Sequence, residues 1–120
     1  MREQGGGHIV NVSSVAGRRA SLGSAVYNMT KWGVNGFSEA LRQEALNSDI
    51  RVTIVEPGFV DTELLGHNNS FIQEFADKLR EEIGETLRAE DIADAIVHSL
   101  AAPAHVSINE VLVRPTKQRT

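Results

Sequence analysis

Cysteine is absent from this 120-residue chain, which excludes disulfide scaffolds, thiolate nucleophiles and Cys-ligated zinc together. An excess of positive charge is missing too. Twelve Lys and Arg face sixteen Asp and Glu, for a net charge of −4, and no basic cluster of the kind that tracks phosphates is present. This argues against an electrostatic grip on nucleic acid or on an anionic membrane. No stretch approaches the roughly 20 consecutive apolar residues of a spanning helix. Met1-Arg2-Glu3-Gln4-Gly5-Gly6-Gly7 lacks the apolar core of a signal peptide. Histidines His8, His67, His98 and His105 show no ligand spacing, so no metal site is expected. Aromatics are few, at 5%, in an otherwise ordinary mix of 41% apolar and 23% charged residues. One compact, soluble, cytoplasmic domain is the expectation.

What is present alternates between two periodicities. His8-Ile9-Val10-Asn11-Val12-Ser13-Ser14 is short and β-branched and predicts a strand, with residues 15–24 a loop. Residues 25–46 predict a helix with Ser24 as its N-cap. Val34, Phe37 and Leu41 form one apolar stripe on it; Ala25, Met29, Trp32, Gly36 and Ala40 form a second. Apolar on two sides, such a helix is either a central core helix or a core helix with a subunit contact. Residues 50–56 predict a second strand stopped by Pro57-Gly58. Asn68-Asn69-Ser70 would cap a helix over 71–83 that Gly84 ends. Residues 90–101 predict another helix, with Ile92, Ile96 and Leu100 facing a core and Ala93 and Val97 beside them. Residues 107–113 predict a last strand. The order βαβααβ implies an α/β fold with three parallel strands and right-handed crossovers.

Tyr27 is the only tyrosine, and Lys31 lies four residues on, one helical turn away on the same face. An ammonium beside a phenol favours phenolate over phenol. A phenol so tuned can protonate a developing alkoxide, or take the proton back in reverse. Alone, the pair reads first as a solvated helix face. Ser14 adds context: it ends a predicted strand, and in a parallel α/β sheet the carboxyl ends of strands line the ligand crevice. A hydroxyl there could hold a substrate carbonyl, or be an ordinary turn serine.

Three segments carry a resemblance in register: Ile9-Val10-Asn11-Val12-Ser13-Ser14 with Gly17, then Tyr27-Asn28-Met29-Thr30-Lys31, then Val55-Glu56-Pro57-Gly58-Phe59-Val60-Asp61-Thr62. Together they resemble the short-chain dehydrogenase/reductase family, over essentially the whole chain. The resemblance implies the C-terminal portion of a Rossmann-type doubly wound parallel sheet, and an NAD(P)-dependent oxidoreductase acting on a small-molecule alcohol or carbonyl. It implies Tyr27 as general acid/base that also contacts the cofactor, Lys31 on the nicotinamide ribose, and Ser14 orienting the carbonyl. Pro57, Gly58, Val60 and Thr62 would line the nicotinamide and pyrophosphate. The segment 103–116 resembles a branch acting on serine and other 3-hydroxy acids, usually with NADP, so NADP is favoured over NAD.

By the same resemblance, residues 1–120 form a partial NAD(P)-binding domain, the catalytic half without the Gly-rich turn that receives the pyrophosphate. Gly5-Gly6-Gly7 precedes a strand instead of opening a helix and is the wrong context for a phosphate loop. The first strand would present an open edge, which invites pairing with another chain. A homo-oligomer through that edge, or through the helix over 25–46, is expected. Two other readings remain. One is an inactive remnant or interaction module that kept only this half of the fold. The other is a flavodoxin-like module using Arg18 and Arg19 as phosphate partners.

Overall fold

Three strands form a parallel sheet in the order β1-β2-β3 in the computed structural model, which describes residues 1–62 and 70–120, the Phe71 side chain aside. They are β1 (Gly7–Val12), β2 (Ile50–Pro57) and β3 (Glu110–Val113), interleaved with helices α1 (Ala25–Glu44), α2 (Ser70–Ile83) and α3 (Ala89–Leu100). The order is βαβααβ, as predicted. β1 runs in register with β2 from Gly7 opposite Ile50 to Val12 opposite Val55, and β3 joins from Glu110 opposite Ile54. β1 is therefore an edge strand on one side.

Strand β2 is the core. Val52, Thr53, Ile54, Val55 and Glu56 are all buried, and alternation sends them to opposite faces. Asn11, paired with Ile54, donates to the Ser38 hydroxyl of α1 at 2.9 Å, so the even-numbered residues of β2 face α1. Arg51 points the other way and donates to the carbonyls of Ala102, Pro103 and Val106, just beyond α3. Helices cover both faces, which makes the sheet doubly wound.

Two strand ends differ from expectation. β1 stops at Val12, not Ser14: the Ser13 N–H still donates to Val55 O at 2.7 Å, but Ser14 leaves the ladder to cap a 3₁₀ turn over Val15–Gly17. β3 begins at Glu110, not Ser107. Ahead of it the chain is tied by side chains, with Thr53 Oγ1 donating to Ile108 O and Ser107 Oγ to Asn109. The cap predicted at Asn68 and Asn69 lies outside the described residues. Gly84, at φ +76°, ends α2 as expected.

Helix α1 is docked differently from its hydropathy. Its sheet side carries Asn28 and Ser38, both buried, together with half-buried Lys31, Val34, Asn35 and Leu41. Val26, Met29, Trp32 and Phe37 are exposed instead. Of the predicted first stripe, Val34 and Leu41 face inward and Phe37 does not; the second stripe faces out. Ser24 precedes the helix but makes no side-chain cap bond; its carbonyl accepts the Asn28 N–H at 2.7 Å. On α3 the buried positions are Ile92 and Ser99, whereas Val97 and Leu100 are exposed. That face is rotated from the predicted one because Ser99 satisfies its hydroxyl on Ala95 O within the helix and can be buried.

The glycine run is a turn. Gly6 has φ +136°, and a Cβ there would sit 2.8 Å from Asp49 O.

His8 gives the fold a pH dependence. Its Nε2 is 2.7 Å from Thr53 Oγ1, and that hydroxyl donates its own proton to Ile108 O. Nε2 therefore carries the imidazole hydrogen, and Nδ1 is buried without a partner. Burial first, and the Arg51 charge second, hold the His8 pKa below its ordinary 6.5. The unfolded chain takes up this proton before the folded one does. The stabilisation is thus complete above about pH 6.5 and is lost as pH falls from there through the lowered folded value. The thermal midpoint, followed by circular dichroism, is expected to drop across that window, and a His8→Gln variant to show a flatter profile there.

Candidate active site

Ser14 sits where β1 gives way to the 3₁₀ turn. Its Oγ accepts the Ala16 N–H at 3.1 Å, which fixes the hydroxyl oxygen and leaves its hydrogen to be donated elsewhere. The turn is clasped to α1 by Asn28, whose Nδ2 donates to Ala16 O at 2.8 Å and Arg19 O at 2.7 Å. Asn28 Oδ1 accepts the Ser21 N–H at 3.2 Å. The loop bearing Ser14 and the first turn of the helix bearing Tyr27 are therefore one hydrogen-bonded unit.

Lys31 crosses from α1 to the end of β1, donating to Val12 O at 3.2 Å. On the way its ammonium passes over the Tyr27 ring, 5.7 Å from the centroid, within cation–π range. Tyr27 itself is 50% exposed. At the carboxyl end of β1, Lys31 is thus bonded to Val12 O with the Tyr27 ring beneath it, and Ser14 follows Val12 by two residues. An exposed phenol with a cation against its face can exchange protons with a molecule arriving from solvent.

The four residues predicted to line a cofactor follow the adjacent strand. Pro57 is the last residue of β2, and the Gly58 N–H donates to Val113 O at 2.7 Å. A side chain on Gly58 would overlap the Gln118 side-chain oxygen and crowd Arg114. Gln118 Oε1 accepts the Phe59 N–H at 2.8 Å. Val60 pairs with Leu87, and Leu87 O accepts the Asp61 N–H at 2.9 Å. Arg80 adds an ion pair to Asp61 at 2.6 Å, which raises the Arg80 pKa further. Thr62 is exposed. Most N–H groups of this turn are therefore already bonded within the chain, which rigidifies it. Residues 63–69 lie outside the described residues.

Two clefts, of about 770 and 710 Å³, lie away from these residues. The first is bounded by Gly84–Arg88 and the tail at Arg114–Lys117, the second by the glycine turn and Asp49–Arg51; neither includes Ser14, Tyr27 or Lys31. Ser14 is buried and Lys31 half-buried, and of the three only Tyr27 is openly exposed. Among the described residues no cluster of metal-ligating side chains occurs, and no helix is long and apolar enough to cross a membrane.

The sequence reading missed Asn28, Glu56 and Gln118. Asn28 carried a signal, since an amide one residue after Tyr27 on the inner side of a helix needs partners. Gln118 carried none: it lies in a polar tail and finds Phe59 only through the fold. Arg18, considered as a phosphate partner, is instead committed to Glu56 and Glu110, and these carboxylates raise its pKa further.

Comparison with known proteins agrees with this fold. The family described as short chain dehydrogenase matches residues 1–73. An uncharacterized oxidoreductase of Staphylococcus saprophyticus is 40% identical over 120 residues, covering 98% of this chain and 48% of its own length. The closed form of serine dehydrogenase complexed with NADP+ superposes with a TM-score of 0.90 at 35% identity, over 100% of this chain and 48% of that one. L-sorbose reductase of Gluconobacter frateurii, solved with NADPH and L-sorbose, gives 0.79 at 25% identity over 100% and 50%. The chain spans about half the length of the relatives it matches.

Proposed function

Because the chain belongs to the short-chain dehydrogenase family, we propose that it carries the proton-transfer site of an NAD(P)-dependent oxidoreductase that interconverts an alcohol and its carbonyl compound. The observation that carries this reading is the Lys31 ammonium, held between Val12 O and the Tyr27 ring at the end of β1. Such an end is where ligands of parallel α/β sheets bind.

In carbonyl reduction, the Ser14 hydroxyl donates to the substrate oxygen and Tyr27 gives up its phenolic proton as alkoxide charge develops. Lys31, poised over the ring, eases the negative charge left on the phenolate. Alcohol oxidation runs through the same groups in reverse. The nicotinamide cofactor, when bound, supplies or accepts the hydride. The residues present fit it. Lys31 has three N–H donors and uses one on Val12 O, leaving donors for ribose hydroxyls, while Pro57, Gly58, Val60 and Thr62 form a rigid turn beside it.

NADP is the favoured cofactor, supported by relatives solved with NADP+ and NADPH. A 3-hydroxy acid is the favoured substrate class, supported by the likeness to serine dehydrogenase and by the segment 103–116. The exposed apolar face of α1, with Val26, Met29, Trp32 and Phe37, and the open edge of β1 support a homo-oligomer. The reading places the protein in the cytoplasm.

Calorimetric titration of the full chain with NADPH tests the proposal. Saturable binding in the micromolar range is expected. Flat heats with both NADPH and NADH would leave only the fold, with the site a remnant.

A further inference from the structure

Glu56 is the penultimate residue of β2, just ahead of Pro57, and its side chain is fully buried. Oε2 accepts the Arg18 Nε–H at 2.6 Å, and Oε1 accepts from Asn35 Nδ2 at 2.7 Å. The same Asn35 nitrogen reaches Gly17 O at 3.2 Å. Arg18 continues to Glu110 on β3. One carboxylate therefore ties together three pieces of chain. These are the turn that opens with Ser14 and ends at Gly17, the stretch of α1 one turn beyond Lys31, and the end of β2 ahead of the cofactor turn.

Stability alone is a weak reason for such an arrangement. Removing a carboxylate from water costs several kcal/mol, and well-packed apolar residues of similar volume often serve a fold as well or better. What an apolar group cannot supply is direction. Two acceptor oxygens aimed at two donors fix both distance and angle. The turn also has little slack: a Cβ on Gly17 would lie 2.8 Å from Asn35 Nδ2 and 2.8 Å from Ser13 Oγ. The turn lies hard against α1, and Glu56 holds it there from the sheet side.

We propose that Glu56 is a positioning residue, which through Arg18 and Asn35 sets the Ser14 turn against the helix that carries Tyr27 and Lys31. This rests on Ser14, Tyr27 and Lys31 being the reacting set. Glu56 touches no substrate; it acts by holding the Ser14 hydroxyl within reach of a carbonyl that Tyr27 protonates.

The test is Glu56→Gln in the full chain, with Arg18→Lys as a second variant should the first fail to fold. Glutamine offers one acceptor oxygen to two donors, so its amide nitrogen must face Arg18 or Asn35. Lysine keeps the charge but cannot bridge Glu56 and Glu110 with a planar fork. Two readouts are taken. The first is the ¹⁵N NMR signal and hydrogen exchange of the Ala16 and Gly17 amides and of the Arg18 Nε–H. The second is steady-state reduction of a 3-oxo acid with NADPH. Both variants are expected to shift the Ala16 and Gly17 signals and speed exchange at those amides, and Glu56→Gln to lose the protected Arg18 Nε–H. kcat is expected to fall at least about tenfold with KM held within about twofold, the mark of a misplaced reacting group. Unmoved Ala16 and Gly17 signals overturn the proposal, as does an unchanged kcat, or a rise in KM with kcat held. If the unmodified chain reduces nothing, the oxidoreductase reading falls. The NMR arm then still decides whether Glu56 places the turn.

Discussion

Tyr27→Phe is expected to lower kcat for carbonyl reduction by about 10²- to 10⁴-fold, the range for losing a positioned general acid, with NADPH affinity nearly unchanged. The argument starts from exposure. Tyr27 is half exposed, and its ring is retained by phenylalanine, so the Lys31 ammonium keeps an aromatic face to sit over. The substitution removes one oxygen and its proton and little else. Stability is expected to stay within about 0.5 kcal/mol of the parent, as for surface changes generally. Following the loss of nicotinamide absorbance on adding a 3-oxo acid gives kcat, and calorimetry gives the affinity. Retention of most of kcat would take Tyr27 out of the reaction and shift attention to a solvent proton donor.

The largest effect on the fold is expected from Ile54→Ala, at about 2–5 kcal/mol of stability. Ile54 lies mid-strand in β2, 4% exposed, on the side facing α1. Alanine there would leave a gap between sheet and helix that the surroundings close only in part. A domain of this size has about 5–15 kcal/mol in total, and the truncation removes a large share of that. Denaturant unfolding is expected to show a lower midpoint with an unchanged slope. A loss under about 1 kcal/mol would mean that α1 rests on the sheet chiefly through its polar contacts.

The strands and helices were legible because each has a strong period. β2 is five consecutive buried residues flanked by Asp49 and a Pro-Gly pair, and α1 runs unbroken by proline. Their order alone implied a parallel sheet. The ends of β1 and β3 were not legible, because Ser14 and Ser107 use their hydroxyls on nearby groups in place of ladder bonds, which composition does not distinguish from a strand terminus. At the candidate site, the closeness of Tyr27 and Lys31 was readable from their spacing, whereas Ser14 stands two residues beyond the strand it was expected to end. That Lys31 would settle between Val12 O and the ring was not readable, since this depends on how far α1 slides along β1. Phe37 was misread for a related reason. Hydropathy places an aromatic toward the core, whereas here the most buried inner positions, Asn28 and Ser38, have hydrogen bonds to make.

The inverted dressing of α1 has a consequence for anyone altering this protein. Beside Val34 and Leu41, its seam with the sheet works through Asn28, Asn35 and Ser38, which donate to named partners, so its tolerance is chemical as well as volumetric. A redesign that filled Asn28, Asn35 and Ser38 with leucines would improve every hydrophobicity score for the helix. It would also remove the Asn28 and Asn35 bonds that clasp the turn after β1 to the helix. Variants of that kind would keep a folded spectrum while losing the local order on which reactivity depends, so screening libraries by heat resistance alone would select for the wrong molecules.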